Sequence, residues 1–242
     1  MVKIGRVRYL NTLPLFYAWD ESRVKLVEGV PSELVKMLRE NLIQGGIVSS
    51  IEYLLKEEEY RLVPNISISS RIKACSVVIL SKKPIHSINK LYLTQDSMTS
   101  QALALYIVRR VYKANPDIVK TREEADAVLL IGDEALKEAN RWPYLYDLGE
   151  EWYKLYKLPF VFALFIVKKW APQWLDEYIE GQCKASKEKF FKDLEEGKLH
   201  IEGYTDTFLK QYFSECLHYE LNTAERESLK LFKEILIKEN IL

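Results

Sequence analysis

The strongest constraint on the fold is a repeated order: a short apolar run, a turn, then apolar residues at helical spacing. Residues 3–7 read as a first strand and 25–27 as a second. Pro31 and Ser32 open a helix, with Ser32 as its N-cap, and Leu34, Val35, Leu38 and Leu42 fall on one helical face. Gly45-Gly46 ends it, because glycine accepts the left-handed backbone of a C-cap. Ile47-Val48 is a buried strand running into Ser49-Ser50, and a second helix carries Glu52, Tyr53, Leu54 and Leu55. A βαβα order with short connections predicts a parallel sheet in an α/β fold.

Residues 62–69 alternate as a half-buried strand, 75–80 form a continuous apolar one, and Lys82-Lys83-Pro84 breaks it. A new βα unit starts at Leu91-Tyr92-Leu93, and the strand at 127–131 ends in Gly132-Asp133. The run 159–167 is long enough to cross between lobes. The tail reads as helices, one with Trp174, Leu175, Tyr178 and Ile179 on a face, and one with Phe208, Leu209, Tyr212 and Phe213. In the last helix Asn222 is the N-cap and Glu225 completes a capping-box pair. Crossings near 81–84 and 161–166 predict two lobes with a double-crossing hinge: residues 1–83 with 166–242, and residues 84–165. A cleft between lobes is a common small-molecule site.

The 242 residues are 48% hydrophobic, enough for a packed core. Lys plus Arg and Asp plus Glu are 35 each, a formal net charge of +0. That balance argues against a nucleic-acid or polybasic membrane partner, whose affinity comes from excess positive charge. It leaves room for a local cationic pocket. The opening residues lack a signal-peptide pattern, and no apolar run approaches the roughly 20 residues of a membrane span. A cytoplasmic location is expected. Cys75, Cys183 and Cys216, odd in number and widely spaced, suggest neither a disulfide framework nor a zinc site; each reads as a small buried hydrophobe.

Polar groups gather where strands end, the rim at which open α/β sheets bind ligands. They include Asn11 and Thr12, Ser49 and Ser50, Ser69 and Ser70, and Ser97, Thr99 and Ser100. Ser97 to Ser100 precede a helix and read either as ordinary caps or as an anion cradle at its N-terminus. Ser76 lies in an apolar run, so its hydroxyl bonds a neighbouring backbone group or faces the cleft. Asp133 is a helix N-cap or a rim group; Arg6 and Arg8 are solvent-facing strand charges, or one pairs with a carboxylate. His86, His200 and His218 lie outside the rim motifs, and there is no glycine-rich phosphate loop, His-Glu-x-x-His or G-x-S-x-G.

Together these segments resemble the chorismate dehydratase family of menaquinone biosynthesis by the futalosine route. Tyr9-Leu10-Asn11-Thr12-Leu13-Pro14-Leu15 is similar to its first motif and Val48-Ser49-Ser50-Ile51-Glu52-Tyr53 to its second. Cys75-Ser76-Val77-Val78-Ile79-Leu80-Ser81 with Pro84-Ile85 is similar to a third, and blocks at 96–100, 131–136, 146–152, 158–163 and 219–232 continue in order. Gln44-Gly45-Gly46-Ile47 stands where the family has an acidic residue, and Gln95-Asp96-Ser97 where a Leu-Asp-Ser type is usual.

The resemblance implies a two-lobed periplasmic-binding-protein-like type II fold in a cytoplasmic hydro-lyase that turns chorismate into 3-[(1-carboxyvinyl)oxy]benzoate. It carries catalytic roles over to Asn11 and to Ser76, with Ser81 the nearby alternative. Tyr9, Thr12, Ser49, Ser50, Ser97, Thr99, Ser100 and Asp133 are the substrate-binding candidates. The expected partner is a small dianion, with no cofactor or metal, in a monomer or homodimer. The rivals are 1,4-dihydroxy-6-naphthoate synthase, expected to use a histidine in the cleft, and a small-anion binding protein of solute-binding-protein fold. A ligand-sensing regulatory module would need a DNA-binding extension that the sequence lacks.

Overall fold

The structure, a computed structural model, describes residues 1–240; the last two residues of the expected first lobe lie outside them. The chain begins with β1 (Val2–Val7), α1 (Leu13–Phe16), β2 (Val24–Gly29), α2 (Pro31–Arg39), β3 (Gly45–Ser49), α3 (Ser50–Leu55) and β4 (Tyr60–Ser70). It crosses to β5 (Val77–Ser81), β6 (Lys90–Leu93), α4 (Met98–Tyr106), β7 (Asp117–Val119), β8 (Ala127–Ile131), α5 (Gly132–Glu138), β9 (Tyr144–Asp147) and α6 (Leu148–Tyr156). It returns as β10 (Val161–Lys168), α7 (Trp174–Glu195), α8 (Asp206–Gln211), β11 (Leu217–His218) and α9 (Thr223–Lys238).

Two sheets result, ordered β11-β4-β10-β3-β1-β2 and β7-β6-β8-β5-β9. The first opens as the expected parallel unit, with β1 between β2 and β3. It is mixed overall, because β10 re-enters from the second lobe and runs antiparallel to β3 and β4. Both crossings sit earlier than the expected boundaries at residues 83 and 166. Strand β5 is bonded on both sides within the second sheet, by β8 and β9. Lys82-Lys83-Pro84 is therefore a turn inside that lobe, tied by Lys82 N–H to the Asp126 carbonyl at 2.9 Å. The linking segments are residues 71–76 and 157–160.

Local chemistry explains two further departures. Pro31 takes the first helical position of α2, where its missing N–H costs nothing, and Val30 is the cap residue in place of Ser32. Gly45 and Gly46 do not end α2, which stops at Arg39; they open β3. A Cβ on Gly46 would meet Gly5 Cα at 3.1 Å, and one on Gly45 the Ile166 carbonyl oxygen at 2.8 Å. Glycine there lets three strands approach closely. The asparagine-capped helix is as expected: Glu225 accepts from Asn222 N–H at 3.0 Å at the start of α9.

The cysteine expectation is overturned for two of the three. Cys75 on the first crossing and Cys216 just before β11 form a disulfide across 141 positions. Their separation in sequence hid a proximity that only the fold creates. Cys183 on α7 is a buried free thiol, and burial pushes its pKa up. The lobes are also joined through Trp152 on α6, which is fully buried against Phe160 and Phe232 and donates its ring N–H to Ser228 on α9 at 3.0 Å. Edge-to-face aromatic packing adds to area burial at that joint.

Candidate functional site

The site forms where the strand ends of the two sheets face each other. After β1 the chain turns sharply, and the turn is held from within. Thr12 donates its hydroxyl to the Val7 carbonyl at 2.7 Å and lies 3.0 Å from the Tyr9 carbonyl. Pro14 then sits in the first turn of α1. This geometry presents Asn11 to the cleft, and the Asn11 carbonyl accepts from the buried Tyr219 hydroxyl at 2.7 Å. The side-chain oxygen of Asn11 is shielded from solvent and has no donor.

Between the lobes lies a cavity of about 50 Å³. Its polar wall is made by Tyr9, Asn11, Thr12, Ser49, Ser97 and Ser100, its apolar wall by groups such as Val77, Ile131 and Phe162, and none of its lining residues is charged. Ser97 caps α4, accepting from Ser100 N–H at 3.3 Å and from the Ser100 hydroxyl at 3.1 Å. It also lies 3.2 Å from the Ser49 hydroxyl across the cleft. Ser97 is thus both the cap of α4 and part of the cavity wall.

Four expected residues stand beside the cavity in other positions. Ser50 donates to the Val161 carbonyl at 2.8 Å, and Thr99 accepts from Ile51 N–H at 3.0 Å; both are buried in the seam between lobes. Asp133 accepts from Leu10 N–H at 2.9 Å, which makes it a clasp between lobes. Ser76 sits just before β5, where its hydroxyl pairs with that of Tyr212 at 2.7 Å behind the cavity wall. Ser81, at the far end of β5, donates to the Lys83 carbonyl at 2.6 Å, away from the cleft. Arg6 and Arg8 stand 3.7 and 4.0 Å from Glu28 and line a neighbouring cavity.

Tyr9 is the most coupled group of the set. Its hydroxyl donates to Asp96 at 2.9 Å. Burial, reinforced by the Asp96 carboxylate, pushes its pKa far up, so it stays a donor. Its ring rests on Gly132, where the backbone has φ +63° and an added Cβ would lie 2.8 Å from the ring. Glycine is required there on both counts. Asp96, Tyr212 and Tyr219 escape sequence reasoning, because a side chain whose partner lies 87, 136 or 208 positions away has no periodic or spacing signature. Among the described residues no cluster of three or more His, Cys, Asp or Glu side chains forms a metal site, and no histidine lines the cavity.

Comparison with known proteins bears on the family and the fold. A family described as menaquinone biosynthesis matches residues 2–238. A chorismate dehydratase of Thermus thermophilus is 25% identical over 257 aligned residues, covering 96% of this chain and 94% of that protein. Among solved structures, a protein of Archaeoglobus fulgidus superposes with a TM-score of 0.77 at 16% identity, covering 100% of this chain and 98% of that one. The periplasmic aliphatic sulphonate binding protein of Escherichia coli gives 0.64 at 12% identity, covering 99% and 92%. At such identities these neighbours establish the fold, which is the two-lobed periplasmic-binding-protein-like architecture expected from the sequence.

Proposed function

The chain belongs to the menaquinone biosynthesis family, and from that premise we propose that it is a chorismate dehydratase, a hydro-lyase acting on a small dianion in the cleft. The observation that carries the reading is the Asn11 side-chain oxygen, a buried acceptor without a donor at the wall of an uncharged interlobe cavity. Such an atom is satisfied when a ligand donates to it, and a hydroxyl-bearing ring is such a ligand. The name of the Thermus relative supports the same substrate.

In the reaction, the C3–H bond of chorismate breaks and its electrons form the ring double bond to C4. The C4–O bond breaks, and the hydroxyl leaves with a proton as water. The product, 3-[(1-carboxyvinyl)oxy]benzoate, is aromatic, so the reaction runs downhill and needs positioning more than strong acid–base groups. In this reading Asn11 accepts from the leaving C4 hydroxyl and fixes its direction. The substrate's own enolpyruvyl carboxylate takes the C3 proton and passes it to the departing hydroxide, so that one water leaves and the carboxylate is restored. Ser97 and Ser100, with the N–H groups that open α4, hold a carboxylate. Ser76, paired with Tyr212 behind the wall, acts through it as a positioning residue. Asp133, Ser50 and Thr99 bond the lobes shut, which excludes water and holds the reacting geometry.

Mass spectrometry of chorismate incubated with purified protein tests the assignment. Loss of one water with appearance of the aromatic product is expected; unchanged chorismate at micromolar enzyme would count decisively against it.

A further inference from the structure

On the other side of Tyr9 lies a second cavity, of about 240 Å³. Arg6 and Arg8 at the end of β1, Asp133 and Lys137 on α5, and Glu202 and Tyr204 before α8 contribute to its wall. Two donors on that wall are shielded from solvent and have no acceptor: Arg6 Nε and the Tyr204 hydroxyl. Glu28 lies 3.7 Å from Arg6 Nε, beyond hydrogen-bond reach. Asp133 already accepts from Leu10 N–H. Buried donors left unpaired carry their full desolvation cost, and two on one cavity wall point to a missing acceptor.

Tyr9 and Thr12 line both cavities. The Thr12 hydroxyl is tied to backbone carbonyls, so the Tyr9 ring is the movable partition. It rests on the flat surface of Gly132 and is held by a single side-chain bond, to Asp96. The inner cavity is far below the roughly 300–1,000 Å³ of small-molecule sites, and it has no cation. The outer cavity adds about 240 Å³ and the positive charge that a dianion needs.

We propose that the outer cavity is a carboxylate subsite of the same ligand site. Tyr9 swings aside, and Arg6 and Tyr204 donate to one carboxylate of an aromatic-sized dicarboxylate whose apolar body stays beside Asn11. Guanidinium geometry suits a carboxylate. The proposal rests on the reading of the cleft as a site for a small dianion.

Calorimetric titration with two stable probes, isophthalate and benzoate, tests it on the wild-type chain and on Arg6→Gln, Arg6→Lys and Tyr204→Phe, each checked for folding by circular dichroism. The wild type binds the dicarboxylate more tightly than the monocarboxylate. Arg6→Gln weakens isophthalate by about tenfold, the size of a lost charge-assisted bond, and Arg6→Lys recovers part of that loss. Tyr204→Phe weakens isophthalate less, and supplies the test if Arg6→Gln does not fold. Equal affinity for the two probes in the wild type, or isophthalate affinity unchanged in the folded variants, would overturn the subsite. Chorismate turnover by the wild type is measured separately: its absence would refute the dehydratase reading while the titrations still decide the subsite.

Discussion

Tyr219 donates its hydroxyl to the backbone carbonyl of Asn11 at 2.7 Å, across 208 positions of chain. Tyr219 is buried, and burial pushes its hydroxyl pKa well up, so the donor is never lost at working pH. The bond fixes the turn on which Asn11 sits. Tyr219→Phe leaves that carbonyl without its donor, at about 1–3 kcal/mol. Denaturant unfolding should show a loss of that size. Steady-state kinetics with chorismate should show kcat falling more than KM changes, because in the proposed reaction the bond orients Asn11. A stability loss with kcat intact would confine Tyr219 to a structural role.

Gly132 faces the ring of Tyr9. In Gly132→Ala the new Cβ would lie 2.8 Å from that ring at a backbone φ of +63°. The left-handed conformation alone costs about 1–2 kcal/mol for a residue with a Cβ. The collision also pushes Tyr9 from Asp96, the movement that ligand binding requires. We expect KM for chorismate to fall, with a modest drop in melting temperature. A raised KM would show that the Tyr9–Asp96 bond is needed in the complex.

The Cys75–Cys216 disulfide closes a long loop between the first crossing and the C-terminal segment. By the chain-entropy account, a loop of that order contributes about 4–5 kcal/mol through the unfolded state. Thermal unfolding with and without dithiothreitol should differ by several degrees, and Cys75→Ser should match the reduced protein. Coincident transitions would mean that the bridge adds nothing to stability.

Asp126 accepts from Asn89 N–H at 2.8 Å and Lys90 N–H at 3.2 Å and pairs with Lys83 at 2.9 Å. The Lys83 ammonium first, and then the backbone N–H of Asn89, hold its carboxyl below the ordinary aspartate value. A depressed folded pKa means that the unfolded chain binds more protons as pH drops. The stabilisation is therefore complete above about pH 4 and is lost as pH falls through the folded value. Asp126→Asn should be less stable than wild type at pH 7, and the gap should close in acid. A gap constant from pH 7 to pH 3 would contradict this.

Much of the fold was legible because a buried strand leaves a continuous apolar run: the five residues of β8 are all buried. The crossings were not, because a proline turn such as that at Pro84 looks the same within a lobe as between two. At the site, Asn11, Ser49, Ser97 and Ser100 were visible as polar groups at strand ends, and the structure places all four on one cavity wall. Ser50, Thr99 and Asp133 carry the same local signal but bond across the seam. The difference depends on where the second sheet stands. Tyr212 and Tyr219 left no trace, since their partners are 136 and 208 positions away.

The central claim, that the Asn11 amide directs the loss of water from chorismate, is tested most directly by the rate at which wild type and Asn11→Ala form 3-[(1-carboxyvinyl)oxy]benzoate, followed by mass spectrometry. The account predicts product from the wild type and a rate lower by at least about a hundredfold for the folded variant, the scale of one lost transition-state contact. Equal rates, or no product from the wild type, would contradict it.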